Sequence, residues 1–167
     1  MSSKREILCG PNLRGNSILE LGTDKRLWDK LSMTHKRVLV ADDLTPVLSA
    51  VAALLQGTFD VVGVASDGPT ALEAALTLEP DLVILDISMP GMSGIEVARE
   101  LKKHANKAKI VFLTVHEDTD ILETCLAAGG LGYVVKVFMD TDLIPAMNEA
   151  LAGRVFVSRF SSLQDLP

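Results

Sequence analysis

The sequence predicts a doubly wound α/β domain, and three observations carry that expectation. From Arg37 onward, short apolar runs alternate with stretches of helical periodicity, five of each. The runs are continuously apolar rather than alternating apolar and polar, the pattern of strands covered on both faces. Turn or capping residues stand between most of the runs and the helices that follow them. Parallel strands need crossover connections, and right-handed crossovers lay helices on both faces of the sheet. The expected architecture is therefore a five-stranded parallel sheet between two helical layers.

The first run is RVLVA (37–41). Thr45 and Pro46 then supply an N-cap and a first-turn proline; Val47, Leu48, Val51, Leu54 and Leu55 follow at helical spacing, and Gly57 closes the helix. FDVVGVA (59–65) reads as the second strand, and after Asp67-Gly68 a helix runs from Pro69 to Leu78. DLVIL (81–85) is the third strand, followed by a helix with Ser93 as its cap and Ile95, Ala98 and Leu101 on its inner stripe. KIVFLT (109–114) precedes a helix carrying Ile121, Leu122, Cys125 and Leu126. LGYVV (131–135) precedes one carrying Leu143, Met147, Ala150 and Leu151. Pro145 is expected in or just after the first turn of that last helix, where proline costs least.

Hydrophobic residues make up 48% of the 167, with a mean hydropathy of +0.29, which suits one globular domain with a full core. Cys9 and Cys125 are too few for a disulfide framework, and neither has the neighbouring His of a metal site, so both read as free thiols in a reducing compartment. No stretch approaches the roughly 20 apolar residues of a membrane span, and a cytoplasmic protein is expected. Residues 1–36 carry seven Lys/Arg against four Asp/Glu, whereas residues 37–167 carry nine against eighteen. So acidic a body repels phosphate backbones, and direct nucleic-acid binding is not expected of it. Residues 1–35 read as a loosely ordered extension; a docking helix led by Trp28, or synthesis starting at Met33, are the alternatives. The domain itself is expected over 36–158, with 159–167 as a C-terminal tail.

In a doubly wound sheet, ligands bind beyond the carboxyl ends of the strands where strand order reverses. Where strands one and three are neighbours at such a reversal, Asp42 and Asp43 at the end of strand one sit beside Asp86 at the end of strand three. Thr114 and Lys136 end strands four and five on the same rim. Each residue alone has an ordinary structural role, as a turn former, a strand threonine or a solvated strand-end lysine. Together they are five polar residues of complementary chemistry on strands whose interiors are almost wholly apolar. Three adjacent carboxylates either share protons or hold a divalent cation, and an all-oxygen cluster suits Mg²⁺ rather than zinc. Lys136 adds a positive charge and Thr114 a hydroxyl, both suited to the oxygens of a phosphoryl group. The set fits transfer of a phosphoryl group onto a carboxylate. It lacks a strand-end His to serve as general base, and the chain has no Gly-rich nucleotide loop.

With its flanking residues, the set resembles the receiver domains of two-component response regulators. The resemblance rests on the acidic pair of VLVADD (38–43), the block LDISMPGMSG (85–94), the Thr of VFLTV (111–115), and the aromatic and lysine of GYVVK (132–136), and it covers about residues 36–158. It implies a flavodoxin-like receiver fold with strand order 2-1-3-4-5 and Asp86 as phosphoacceptor. It further implies Mg²⁺ held by Asp43, Asp86 and the backbone carbonyl of Ser88, with Asp42 acting through water. Thr114 and Lys136 would contact the phosphoryl oxygens, and Tyr133 would be the aromatic switch that turns inward when Thr114 moves. A sensor histidine kinase or phosphotransfer protein would be the donor. The chain would then be no enzyme beyond slow self-phosphorylation and self-dephosphorylation.

AAGGLGYVVK (127–136) and AGRVFVS (152–158) look like NarL-type receivers, which normally continue into a helix-turn-helix domain. About nine residues after Ser158 are too few for one, so the expectation is a stand-alone receiver or a chain that lost its output domain. Val137 stands where many receivers have proline, and Leu48 where NarL-type receivers often carry arginine. Output is expected through a self-dimer or a downstream protein. Its surface would be helix four, strand five and helix five, with Glu117, Asp118, Asp120, Glu123, Asp140 and Asp142. A phosphate shuttle or sink is the alternative. Other classes fit less well: a flavodoxin-like cofactor module needs a phosphate loop where Asp42 and Asp43 would repel an anion, and an aspartyl-nucleophile phosphatase usually places its nucleophile after strand one.

Overall fold

The computed structural model describes residues 35–160. The expected extension with its Trp28 helix, Cys9, and residues 161–167 of the tail lie outside the described residues. The elements in chain order are β1 (Arg37–Ala41), α1 (Thr45–Leu55), β2 (Asp60–Ala65), α2 (Gly68–Leu78), β3 (Leu82–Leu85), α3 (Gly94–Lys103), β4 (Lys109–Thr114), α4 (Thr119–Ala127), β5 (Gly130–Val135), α5 (Met139–Leu151) and β6 (Phe156–Val157). All strand pairs are parallel, in the order β2-β1-β3-β4-β5-β6. The doubly wound class is as expected, but the sheet has six strands rather than five. The sixth was invisible to pattern reading because two residues, Phe156 and Val157, are too short to show a period.

Alternation along the buried strands divides the core into two layers. Leu39, Ala41, Val83, Leu85, Phe112 and Tyr133 face α2, α3 and α4, where Ala71, Ala75, Val97, Ala98, Leu101 and Cys125 meet them. Val38, Val40, Ile84, Val111, Leu113 and Val134 face α1 and α5, against Val51, Leu55, Leu143, Met147 and Ala150. Both faces of the sheet are dry, which explains why its central strands read as continuous apolar runs. Among the described residues no helix is long and apolar enough to cross a membrane.

Local signals set most of the helix ends. Asp67 caps α2, accepting the Thr70 N–H at 2.8 Å. Ser93 begins α3 with a reciprocal capping box: its hydroxyl accepts from Glu96 N–H at 3.2 Å, and the Glu96 carboxylate accepts from Ser93 N–H at 2.8 Å. Thr45 is not the cap of α1. Leu44 holds that extended position without a side-chain cap, because the Asp42 carboxylate accepts the Leu44 N–H at 2.9 Å and the chain is already helical at Thr45. Pro145 is also placed differently from expectation. Since α5 starts at Met139, directly after a 3₁₀ turn over Lys136–Phe138, the proline falls in the helix interior. There it removes a hydrogen bond at a cost of about 3 kcal/mol. The helix persists because Leu143, Ala146, Met147 and Ala150 are buried on its inner side.

Candidate functional site

Strand pairing delivers the carboxylates to one place. Ala41 and Leu85 are register partners at the ends of β1 and β3, so the next residue of each strand, Asp42 and Asp86, steps off the sheet beside the other. Backbone bonds hold both there: Asp86 N–H donates to the Ala41 carbonyl at 2.8 Å, and Asp42 N–H to Ala65 at 3.0 Å. Asp42 is 1% and Asp86 5% exposed, while Asp43 is open to solvent. All three offer a carboxylate oxygen within 4.8 Å of the others. Lys136, the first residue past β5, brings its ammonium 2.6 Å from Asp42 Oδ2 and 3.4 Å from Asp86 Oδ2.

The electrostatics follow from burial. Desolvation holds the Asp86 carboxyl above the ordinary carboxylate range; Lys136 pulls it back down and Asp42 pushes it up again. Asp86 Oδ1 accepts the Ile87 N–H at 2.8 Å. Asp42 Oδ2 is fully buried and makes no aligned hydrogen bond among the described residues; the Lys136 ammonium is its nearby counter-charge. The three carboxylates, an oxygen-only donor set with one atom of each within 4.8 Å of the others, fit a hard divalent cation such as Mg²⁺. Removing the exposed member should show this. Asp43→Ala is expected to weaken Mg²⁺ binding at least as much as the about 10- to 100-fold that loss of an outer-shell partner costs. Asp42→Ala should weaken it less, because Lys136 already neutralises that carboxylate. Titration calorimetry reads both, and wild-type affinity in Asp43→Ala would count against this site.

Thr114 ends β4 fully buried, and its Oγ1 accepts the His116 N–H at 3.1 Å. Ser88, two residues past Asp86, has its Oγ 3.2 Å from His116 Nε2. The Tyr133 ring is fully buried and its hydroxyl donates to the His116 carbonyl at 2.9 Å. Burial, with Asp118 and Glu117 adding negative potential, keeps that phenol well above its ordinary pKa and hence a donor. Tyr133, expected to be the aromatic switch, is thus buried in this structure. His116 joins Ser88, Thr114 and Tyr133, and sequence reading missed it by looking for a His only at a strand end. No local pattern marked it, because its place is fixed by the hydroxyls of Thr114 and Tyr133.

The acidic face around α4 and α5 is partly committed to structure. Asp118 caps α4, accepting from Asp120 and Ile121, and the Asp142 carboxylate accepts the Ser158 hydroxyl at 2.7 Å. The outer edge of β5, the strand expected on the output surface, is covered by β6. Cys125 is buried, and desolvation pushes its thiol up to about 12, so it stays protonated and inert at neutral pH.

Residues 38–148 match the family model for the response regulator receiver domain. The chain is 40% identical over 134 residues to the transcriptional regulatory protein PdtaR of Mycobacterium tuberculosis, covering 78% of this chain and 61% of that protein. It is 35% identical over 123 residues to the nitrate/nitrite response regulator NarL of Escherichia coli K12, covering 72% of this chain and 57% of that one. The chain therefore spans about three fifths of the length of these curated relatives. Among solved structures, the isolated receiver domain of RcsB from Salmonella enterica serovar Typhimurium, determined in the presence of the phosphomimetic BeF₃⁻, superposes with a TM-score of 0.69 at 28% identity, over 75% of this chain and 94% of that one. The stretch matched by the family model holds every residue gathered at the rim, and the chain belongs to the response regulator receiver domains of two-component systems.

Proposed function

We propose that Asp86 accepts a phosphoryl group from a histidine kinase or phosphotransfer protein and that the domain relays the signal through protein contact. The observation that carries this reading is the buried Asp86 carboxylate, beside Asp42 and within reach of the Lys136 ammonium. A carboxylate oxygen of Asp86 attacks phosphorus, the bond to the donor's imidazole nitrogen breaks, and the donor leaves as imidazole. The product is an acyl phosphate on Asp86. Lys136 is placed to follow the charge from the carboxylate to the phosphoryl oxygens. The Thr114 hydroxyl oxygen accepts from His116, which leaves its proton to be donated to a phosphoryl oxygen. Mg²⁺, bound by Asp43, Asp86 and the Ser88 carbonyl with Asp42 behind them, would neutralise charge between nucleophile and phosphoryl group.

The reaction is one transfer per chain rather than turnover of a free substrate, and it takes place in the cytoplasm, where kinases have ATP. The partner of the phosphorylated form is a second copy or a separate protein that meets the acidic α4 and α5 face with basic residues. That the RcsB receiver was solved with a phosphoryl mimic supports carrying the chemistry over to this chain. Incubation with acetyl phosphate and Mg²⁺ tests the reading: intact mass should rise by one phosphoryl group, and chelating the metal should abolish the gain. No mass gain from acetyl phosphate or from any histidine-phosphorylated donor would overturn it.

A further inference from the structure

The segment Phe156–Phe160 is built onto the residues that surround the phosphoacceptor. Phe156 and Val157 pair in parallel with Gly132 and Tyr133. Ser158 N–H donates to the Tyr133 carbonyl at 2.8 Å, so the strap is fastened to the backbone of that tyrosine. Its hydroxyl is fastened in turn to Asp142 on α5 at 2.7 Å, and Ser158 is buried. Two residues on, Phe160 is buried with its ring 6.0 Å from that of Tyr133 and tilted by 58°, an attractive edge-to-face geometry. Between them, the Arg159 guanidinium lies 5.6 Å from the centre of the Phe138 ring. Strand pairing, side-chain hydrogen bonding, ring packing and a cation–π contact thus hold one short segment against β5, α5 and the turn between them.

From Tyr133 the contacts run on to the site. The tyrosine hydroxyl holds the His116 carbonyl, and the His116 N–H is held by the Thr114 hydroxyl oxygen. Any movement of Thr114 toward a phosphoryl group on Asp86 carries His116 with it and is felt at the Tyr133 ring. With Phe160 packed against it, the ring is held inward, where its hydroxyl reaches His116.

We infer that the C-terminal strap, through Phe160 and Ser158, is a positioning element that favours the inward Tyr133 state and is coupled to occupancy of Asp86. This rests on the reading of Asp86 as phosphoacceptor. Coupling is reciprocal: if the strap stabilises the state that binds a phosphoryl group, then binding that group stabilises the strap by the same factor. A ligand shifts such an equilibrium only through contacts that differ between the states, and the Thr114–His116–Tyr133 chain supplies them.

The experiment uses the full chain with beryllofluoride and Mg²⁺ as the phosphoryl mimic. The chain has a single tyrosine, so fluorotyrosine labelling gives one ¹⁹F resonance that reports Tyr133. Wild type should bind the mimic, and amide exchange over 156–160 should slow on binding. Phe160→Ala should weaken beryllofluoride binding about 5-fold or more, the lower end of ordinary coupling, and shift the ¹⁹F resonance of the free protein. Phe160→Leu should restore part of the affinity. Because Phe160→Ala removes a buried ring, Ser158→Ala serves as a second variant that loosens the strap without opening the core beneath Tyr133; it should weaken binding in the same direction. Wild-type affinity in both alanine variants, or unchanged or faster exchange over 156–160 on binding, overturns the coupling and leaves the phosphoacceptor reading in place. Failure of wild type itself to bind overturns that reading and the coupling with it.

Discussion

Asp86→Asn is expected to abolish phosphorylation by acetyl phosphate and, in metal-free buffer at pH 7, to raise the melting temperature of the protein. Loss of labelling follows from removing the proposed phosphoacceptor, a buried rim carboxylate 3.4 Å from the Lys136 ammonium. The gain in stability follows from the direction of its pKa. Asp86 binds its proton more tightly in the folded chain than in the unfolded one, since desolvation outweighs the pull of Lys136. A carboxyl with a raised folded pKa destabilises the fold increasingly as pH climbs from its unfolded value of about 3.9 to its folded one, and the full cost persists above that. Asparagine keeps the shape without the charge, and Lys136 keeps Asp42 as its partner at 2.6 Å. Each kcal/mol recovered raises Tm by about 2–4 °C in a chain of this size. Saturating Mg²⁺ should narrow the difference, because only the wild type retains all three carboxylates; a ligand at 100 times its Kd stabilises by about 2.7 kcal/mol. Calorimetric melts of both proteins in EDTA and in Mg²⁺ read this. A lower Tm for Asp86→Asn in EDTA would mean that Asp86 is held by its partners more than it is penalised by burial.

The rim was legible in the sequence because buried parallel strands leave little ambiguity about where they end. Val38 to Ala41 and Leu82 to Leu85 are buried without a break, so the first carboxylate after each had to emerge at the sheet's edge, and strand order made them neighbours. What lay beyond strand ends was less legible. His116 belongs to a loop whose path is set by Tyr133 and Thr114, contacts that no local pattern encodes. Competition among polar residues misled the reading at Thr45: a threonine before proline looks like a cap, yet Asp42, three residues earlier, takes the Leu44 N–H and advances the helix start. Pro145 was misplaced because its helix begins at Met139, before the apolar stripe that sequence reading relies on. The strap escaped because its strand is only Phe156–Val157 and its anchors, Phe160 and Ser158, act through long-range contacts.

Gly94→Ala is expected to damage the site directly, because the added methyl meets the backbone of Asp86. Gly94 is the first residue of α3, and a Cβ built there would lie 2.0 Å from the carbonyl oxygen of Asp86 and 2.9 Å from its carbonyl carbon. Both atoms are backbone, so no side chain can swing aside to make room. The same residue donates its N–H to the Ile87 carbonyl at 2.9 Å, which closes the loop between β3 and α3 on itself. Making space means pushing the start of α3 off the end of β3, breaking that hydrogen bond and loosening the Ser93–Glu96 capping box. Overpacking costs about 1–3 kcal/mol and a lost hydrogen bond about 1 kcal/mol, so a destabilisation of about 3 kcal/mol is expected. The displaced atoms include the backbone of Asp86 itself, so phosphorylation should slow by more than the loss of folded protein explains. Gly57→Ala provides the comparison. Its φ is +79° and nothing lies within 4 Å of the added methyl, so only the left-handed backbone is penalised, at about 1–2 kcal/mol, and phosphorylation should be unchanged. Urea denaturation and acetyl phosphate labelling of the two variants separate steric overlap from backbone strain. If Gly94→Ala unfolds at the wild-type midpoint and labels at the wild-type rate, the close approach of α3 to Asp86 does not position that carboxylate.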